Sequence, residues 1–136
     1  MEVIETFNDK QIRDLHALYQ KEWWTEGRNL ADTQACVERS QLCLGLIDEQ
    51  GRLQGFARVL TDYTFKAFIF DLMVSAAQRN HGLGRKLVSL IKNHPTLQSV
   101  RHFELYCLPE MFEFYRKLGF STELGEVQLM RYVRRA

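Results

Sequence analysis

Apolar residues recur at helical spacing in two early stretches and then switch to three short, nearly continuous runs. This change of period predicts two helices followed by strands. Ile12, Leu15, Leu18, Tyr19 and Trp23 form the first helical stripe, and Asn8 followed three residues later by Gln11 is a capping-box start signal. That helix is expected to end near Trp24. Asn29 and Asp32 give a similar start for a second helix running to about Arg39, with residues 25–28 as the link. The runs at 42–47, 53–60 and 66–74 are separated by Asp48-Glu49-Gln50-Gly51 and Asp62-Tyr63-Thr64, and read as an antiparallel meander. Helical spacing returns at Leu83, Leu87, Leu90 and Ile91 and stops before Pro95. A strand near 102–107, a helix near 110–118 closed by Gly119 and a last strand near 127–133 complete the pattern. The order α-α-β-β-β-α-β-α-β predicts one α/β domain over residues 1–136, a mixed and mostly antiparallel sheet flanked by helices.

The most specific local signal lies where the third run meets the next helix, at Val74-Ser75-Ala76-Ala77-Gln78-Arg79-Asn80-His81-Gly82-Leu83-Gly84-Arg85-Lys86. Gly82 and Gly84 allow the backbone to approach a ligand closely and turn successive N–H groups toward it, at the positive end of a helix. Arg85 and Lys86 occupy the first turn of that helix, where cations oppose the helix dipole at a cost of roughly 0.3–1 kcal/mol each. A bound polyanion reverses that penalty, so the segment reads as a pyrophosphate cradle. It is neither G-x-x-x-x-G-K-[ST] nor the G-x-G-x-x-G of dinucleotide folds.

The cradle has the form R-x-x-G-x-G, with Arg79, Gly82 and Gly84, and in this it resembles the GNAT superfamily of acyl-CoA-dependent N-acyltransferases. Phe114-Tyr115-Arg116-Lys117-Leu118-Gly119-Phe120 is similar to that family's later F-Y-x-x-x-G-F junction. Trp23-Trp24 with Arg28, Gly55-Phe56-Ala57-Arg58-Val59 and Asp71-Leu72-Met73-Val74 extend the likeness over nearly the whole chain. The resemblance implies acetyl-CoA as co-substrate and a primary amine as acceptor, joined in a ternary complex without a covalent enzyme intermediate. It further implies that the backbone of Leu72, Met73 and Val74 pairs with the pantetheine arm. Arg79, Asn80, His81, Gly82, Leu83, Gly84, Arg85 and Lys86 would surround the pyrophosphate, with Phe114 and Lys117 also on the coenzyme side. The chain departs from the family pattern at Phe70, where some relatives carry a glutamate, and at Cys107-Leu108-Pro109-Glu110, where many have an asparagine. Those departures motivate an alternative, a non-catalytic acyl-CoA-binding regulatory module.

Tyr115 matches the tyrosine that commonly protonates the departing thiolate. Met111, Phe114, Tyr115 and Leu118 also share a helical face, which offers a core-edge role as the alternative, and the acid role is preferred. Strand alternation sets Asp71 with Met73 on one face of their strand, apart from Phe70 and Leu72. Asp71 then has three readings: general base, anchor for the amine's positive charge with water as the base, or structural partner of Arg58 on the neighbouring strand. Trp23, Trp24 and Arg28 occupy the region that in this family forms a wall of the acceptor site. There Trp24 can stack on an acceptor and Arg28 can pair with a carboxylate, unless the tryptophans pack onto the sheet. Asp62 reads as a turn residue in preference to a second acid at the cleft.

Composition narrows the remaining classes. A formal net charge of +1 gives no general attraction to nucleic acid or to an anionic membrane, and no apolar run approaches the ~20 residues of a membrane span. His16, His81, His94 and His102 show no ligand spacing, so no metal is expected. Cys36, Cys43 and Cys107 lack metal or redox spacing and are odd in number, as expected of packed thiols in a cytoplasmic protein. Exposed edge strands and the C-terminal strand are compatible with a homodimer.

Overall fold

In the computed structural model, which describes residues 1–135, the elements run β1 (Glu2–Ile4), α1 (Asp9–Tyr19), α2 (Leu30–Arg39), β2 (Leu42–Ile47), β3 (Leu53–Thr61) and β4 (Lys66–Val74). They continue with α3 (Leu83–Lys92), β5 (His102–Glu104) and α4 (Phe112–Arg116). The five strands form one sheet in the order β1-β2-β3-β4-β5, antiparallel except for the parallel β4–β5 pair. The chain is therefore α/β, with a mixed sheet flanked by helices as expected. Residues Met1–Leu105 form one compact unit and the chain from Tyr106 onward a second.

Both early capping boxes form. Asn8 caps α1 reciprocally with Gln11, and Asn29 caps α2 with Asp32. The stripe Ile12, Leu15, Leu18 and Tyr19 is buried, and α1 lays it over Cys43, Ile47, Leu53, Phe56 and Met73. Phe56 is completely buried, with Phe7 and Tyr19 edge-on to it at 5.6 and 6.2 Å. Burial of each such side chain contributes about 1.5–3 kcal/mol. Gly45 keeps this layer close, because a β-carbon there would lie 2.9 Å from each of Ile4 Cγ1, Leu53 Cδ1 and Phe7 Cζ. Successive strand residues face opposite ways. Gly55, next to Phe56, accordingly faces Leu87 of α3, which with Val88 and Ile91 is fully buried.

Four points of the sequence reading are corrected. The pattern gave no β1, since three residues are too few to establish a period of two. The first helix stops at Tyr19, not near Trp24, because residues 20–27 turn away and leave Trp23 68% exposed. No strand forms at 127–133: Val127, Leu129, Met130, Tyr132 and Val133 are all exposed, and an apolar run without a hydrogen-bonded neighbour is no strand. The strand expected over 102–107 is likewise confined to His102–Glu104.

Candidate active site

Asp71 sits at an irregularity in β4. Phe70 pairs with Arg58 and Met73 with Phe56, so Ala57 alone stands opposite both Asp71 and Leu72, and Asp71 adopts φ +56°. Two residues against one is a β-bulge, a device that re-aims a side chain. The carboxylate is buried on the face covered by α1. Its Oδ2 accepts from Tyr19 Oη (2.9 Å), Arg28 Nη1 (2.6 Å) and Arg58 Nε (2.6 Å), and its Oδ1 accepts from Arg28 Nη2 (3.2 Å). Arg28 also lies over the Tyr19 ring at 4.7 Å, and Arg58 over Phe70 at 5.0 Å. Tyr19 Oη is 3.4 Å from Cys36 Sγ.

Burial alone would raise the pKa of Asp71, but the hydrogen bonds and charges of Arg28 and Arg58 outweigh it and hold the carboxyl below its ordinary range. Burial, reinforced by the charge of Asp71, pushes the Tyr19 phenol far upward and keeps it a neutral donor. For both arginines burial acts downward, but the bonds to Asp71 prevail and raise their pKa values. The pairing with Arg58 that strand alternation allowed is thus present, and Arg28 completes it from the other side. Tyr19 was hidden in the sequence among core leucines. The one available signal was that a tyrosine on a buried stripe needs a partner for its hydroxyl.

Arg28 reaches Asp71 because the segment after α1 is tightly turned. Buried Thr25 donates its hydroxyl to the Tyr19 carbonyl (2.8 Å), and Gln20 donates to the Arg28 carbonyl (2.8 Å). Trp23 and Trp24 stay exposed in this segment, edge-to-face at 5.8 Å, so neither is packed away in the core. Asp62 accepts the backbone N–H groups of Thr64, Phe65 and Lys66, which hold its pKa down and make it a turn residue.

At the cradle, Asn80 and Gly82 both have positive φ, +66° and +78°, and Gly82 is the N-cap of α3. In contrast to α1 and α2, this helix start has no side-chain cap. The first N–H groups of a helix lack intrahelical acceptors, so those of Leu83, Gly84 and Arg85 remain available to an anion. Asn80, His81 and Arg85 are exposed and Lys86 is half-buried. Arg79 points elsewhere: its Nη2 donates to Glu22 (2.9 Å) and its Nε to the Val74 carbonyl (3.4 Å), tying the loop to the segment that carries the tryptophans. Leu72 and Val74 are half-buried, and the Met73 side chain belongs to the core. Gly82→Val would force a β-branched residue into the left-handed region at about 1–2 kcal/mol. Acetyl-CoA affinity is expected to fall about tenfold by calorimetry, with α1 and the sheet unchanged by circular dichroism.

In the second unit Tyr115 lies on α4, 9% exposed, with Phe114 and Phe120 edge-on at 4.9 and 5.8 Å. Burial first, and then nearby Cys107, pushes its phenol up to about 12. Lys117 is exposed and 3.9 Å from Glu113. Gly119, at φ +96°, ends the helix as the sequence indicated. Among the described residues no group of three or more His, Cys, Asp or Glu is placed to hold a metal ion, and no helix is long and apolar enough to cross a membrane.

The sequence profile described as the acetyltransferase (GNAT) family matches residues 9–120, which takes in α1, the cradle and Tyr115. The chain belongs to the GNAT acetyltransferase family. Histone acetyltransferase TAP1 of Glycine max is 28% identical over 131 residues, covering 89% of this chain and 56% of its own. The uncharacterized N-acetyltransferase ycf52 of Porphyra purpurea is 30% identical over 128 residues, covering 90% of this chain and 73% of its own. The chain thus spans only about half of the first curated relatives, 56% of TAP1 and 52% of soybean TAP2. Among solved structures, a GNAT-family protein from Xanthomonas campestris superposes with a TM-score of 0.81 at 29% identity, over 98% of this chain and 94% of that one. An aminoglycoside 6'-N-acetyltransferase complexed with coenzyme A shares the fold, with a TM-score of 0.74 at 17% identity over 88% of this chain and 84% of its own. Acetyl transfer to an amine is the general reaction of this family.

Proposed function

We propose that this GNAT chain transfers an acetyl group from acetyl-CoA to a primary amine by direct attack in a ternary complex. The observation that carries the reading is the start of α3. It is the one capping position among α1, α2 and α3 that offers no side chain, it follows two left-handed residues, and it presents free N–H groups where a diphosphate would gain most. The backbone of Leu72–Val74, next to the bulge, supports pairing with the pantetheine arm. A backbone N–H there would stabilise the oxyanion of the tetrahedral intermediate, a contact worth about 3–4 kcal/mol in acyl-transfer enzymes.

In the reaction the neutral amine nitrogen forms a bond to the thioester carbon, the C–S bond breaks, and the sulfur leaves with its electron pair. Tyr115 supplies a hydrogen bond or proton to that sulfur. The amine, with an ordinary pKa near 10, first gives up a proton. Asp71 is a poor recipient, since its carboxylate already accepts one hydrogen bond from Tyr19, two from Arg28 and one from Arg58. Water takes that proton, and Asp71 orders the two arginines. The same saturation of Asp71 favours the second reading, a module that binds acyl-CoA without turnover. The name of the soybean relative adds protein lysines to the small amines to be tried as acceptors.

Calorimetric titration with acetyl-CoA, paired with thiol release over amino acids, polyamines, aminoglycosides and lysine peptides, tests the reading. Micromolar binding with turnover of at least one amine class is the expected result. Binding with no turnover across the panel would favour the module, and absence of binding would remove both.

A further inference from the structure

Resting on the transferase reading, we infer that the amine acceptor carries a carboxylate, and that Arg28 and Arg58 receive it. The argument begins with a charge count. Two guanidiniums meet one carboxylate at Asp71, while Tyr19 contributes only a neutral hydroxyl, so this cluster carries an excess positive charge. Side-chain exposures of 29% for Arg28, 14% for Arg58 and 4% for Asp71 place much of that excess away from water. Both guanidiniums are ion-paired to the same carboxylate, and the two-pronged contact from Arg28 would by itself have neutralised Asp71, so one positive charge is left over in a half-buried place. The second guanidinium is thus unexplained by Asp71 alone, and an anionic ligand group balances it.

The remaining donors suit a carboxylate. Arg58 engages Asp71 through Nε, which leaves its two Nη groups uncommitted to that carboxylate. Nη1 has only a 3.5 Å contact with Ser40 Oγ, and Nη2 has no hydrogen-bond acceptor among the described residues. Paired N–H groups on one planar guanidinium match the two oxygens of a carboxylate. The fork is held before any ligand arrives: Arg58 lies against Phe70, Arg28 against Tyr19, and both are pinned to a bulged strand. The phenylalanine at position 70 thus acts as a platform for Arg58.

Position separates this anion from those of the coenzyme. Asp71 precedes the end of β4 by three residues, about 10 Å at strand spacing, and the cradle begins only beyond that end. The pyrophosphate belongs to the loop before α3, and the Arg28–Arg58 pair is left for the acceptor. An excess of positive charge also opposes a lysine-rich peptide.

The test uses the full chain saturated with acetyl-CoA and amines matched in pairs: L-leucine and L-leucinamide, L-phenylalanine and L-phenylalaninamide, 4-aminobutanoate and 4-aminobutanamide, with a lysine peptide alongside. For at least one pair the carboxylate is expected to exceed the carboxamide about tenfold or more in kcat/KM. Arg58→Gln and Arg28→Gln should each bring that ratio toward one, and Arg28→Lys should retain part of it. A fold defect lowers both members of a pair and leaves their ratio alone, and the wild-type ratios need no variant at all. Equal measurable rates, preference for the carboxamides or the peptide, or turnover of other amines with none of any carboxylate would each overturn the inference, whereas acetyl-CoA binding with no turnover of any amine would overturn the transferase reading. Failure to bind acetyl-CoA would likewise overturn the transferase reading beneath it.

Discussion

Tyr115→Phe is expected to lower kcat about a hundredfold while leaving acetyl-CoA affinity within about twofold, the low end of the 10²–10⁴ range for a general acid. The phenol, pushed up to about 12, remains protonated throughout the working pH range. It is also a weaker acid than an alkyl thiol. Complete proton transfer to sulfur would therefore run uphill, and in the proposed role Tyr115 would act mainly by hydrogen-bonding to the charge that grows on sulfur. Phenylalanine preserves the edge-on contacts with Phe114 and Phe120 and deletes only that donor. Saturating thiol-release kinetics, with thermal unfolding as a control, give the answer. Loss of less than about threefold would assign Tyr115 to the core alone. In the wild type the rate should climb from pH 7 toward 10 as the amine loses its proton, with no downturn from Tyr115 in that interval.

Asp71→Asn is expected to cost about 3–5 kcal/mol of stability, because it leaves two guanidiniums facing each other without their counter-charge. The exposure of Arg28 allows water to screen part of that penalty and favours the lower figure. The pH dependence has a definite sign. The folded carboxyl has a pKa below its unfolded value near 3.9, so its contribution is fully present above that value and is lost as pH falls through the folded pKa. Urea unfolding of the wild type should accordingly weaken below about pH 4, and Asp71→Asn should lack that component. Adding Arg58→Met to Asp71→Asn removes the stranded charge and should recover part of the stability. A single variant within about 0.5 kcal/mol of the wild type would show the cluster to be solvated and of little consequence.

The two capping boxes, the β2 and β4 limits and the glycine loop were legible because each depends on neighbours within a few residues. Gln11 follows Asn8, Asp32 follows Asn29, and turn residues bound each strand. What depends on distant partners was not. The apolar and β-branched residues at 127–133 show that a strand could form, and only a neighbour with free N–H and C=O groups makes it one. The same distinction governs the site. Arg58 was foreseeable as an Asp71 partner because β3 and β4 adjoin, whereas Arg28 arrives from 43 positions away through the turn after α1. The bulge had no signal in β4, since a nearly continuous apolar run shows no break in register.

Strand order has a consequence for how the protein comes to be assembled. β2, β3 and β4 are neighbours both in sequence and in the sheet, linked by short turns, so their pairing closes small loops and is expected early in folding. β1 and β5 must join from across intervening helices, the latter only after the long excursion that contains α3. Asp71 and Arg58 therefore come face to face in the fast meander. Arg28 and the loop before α3 are fitted to it afterwards, so the meander would hold its buried ion pair before that loop is in place.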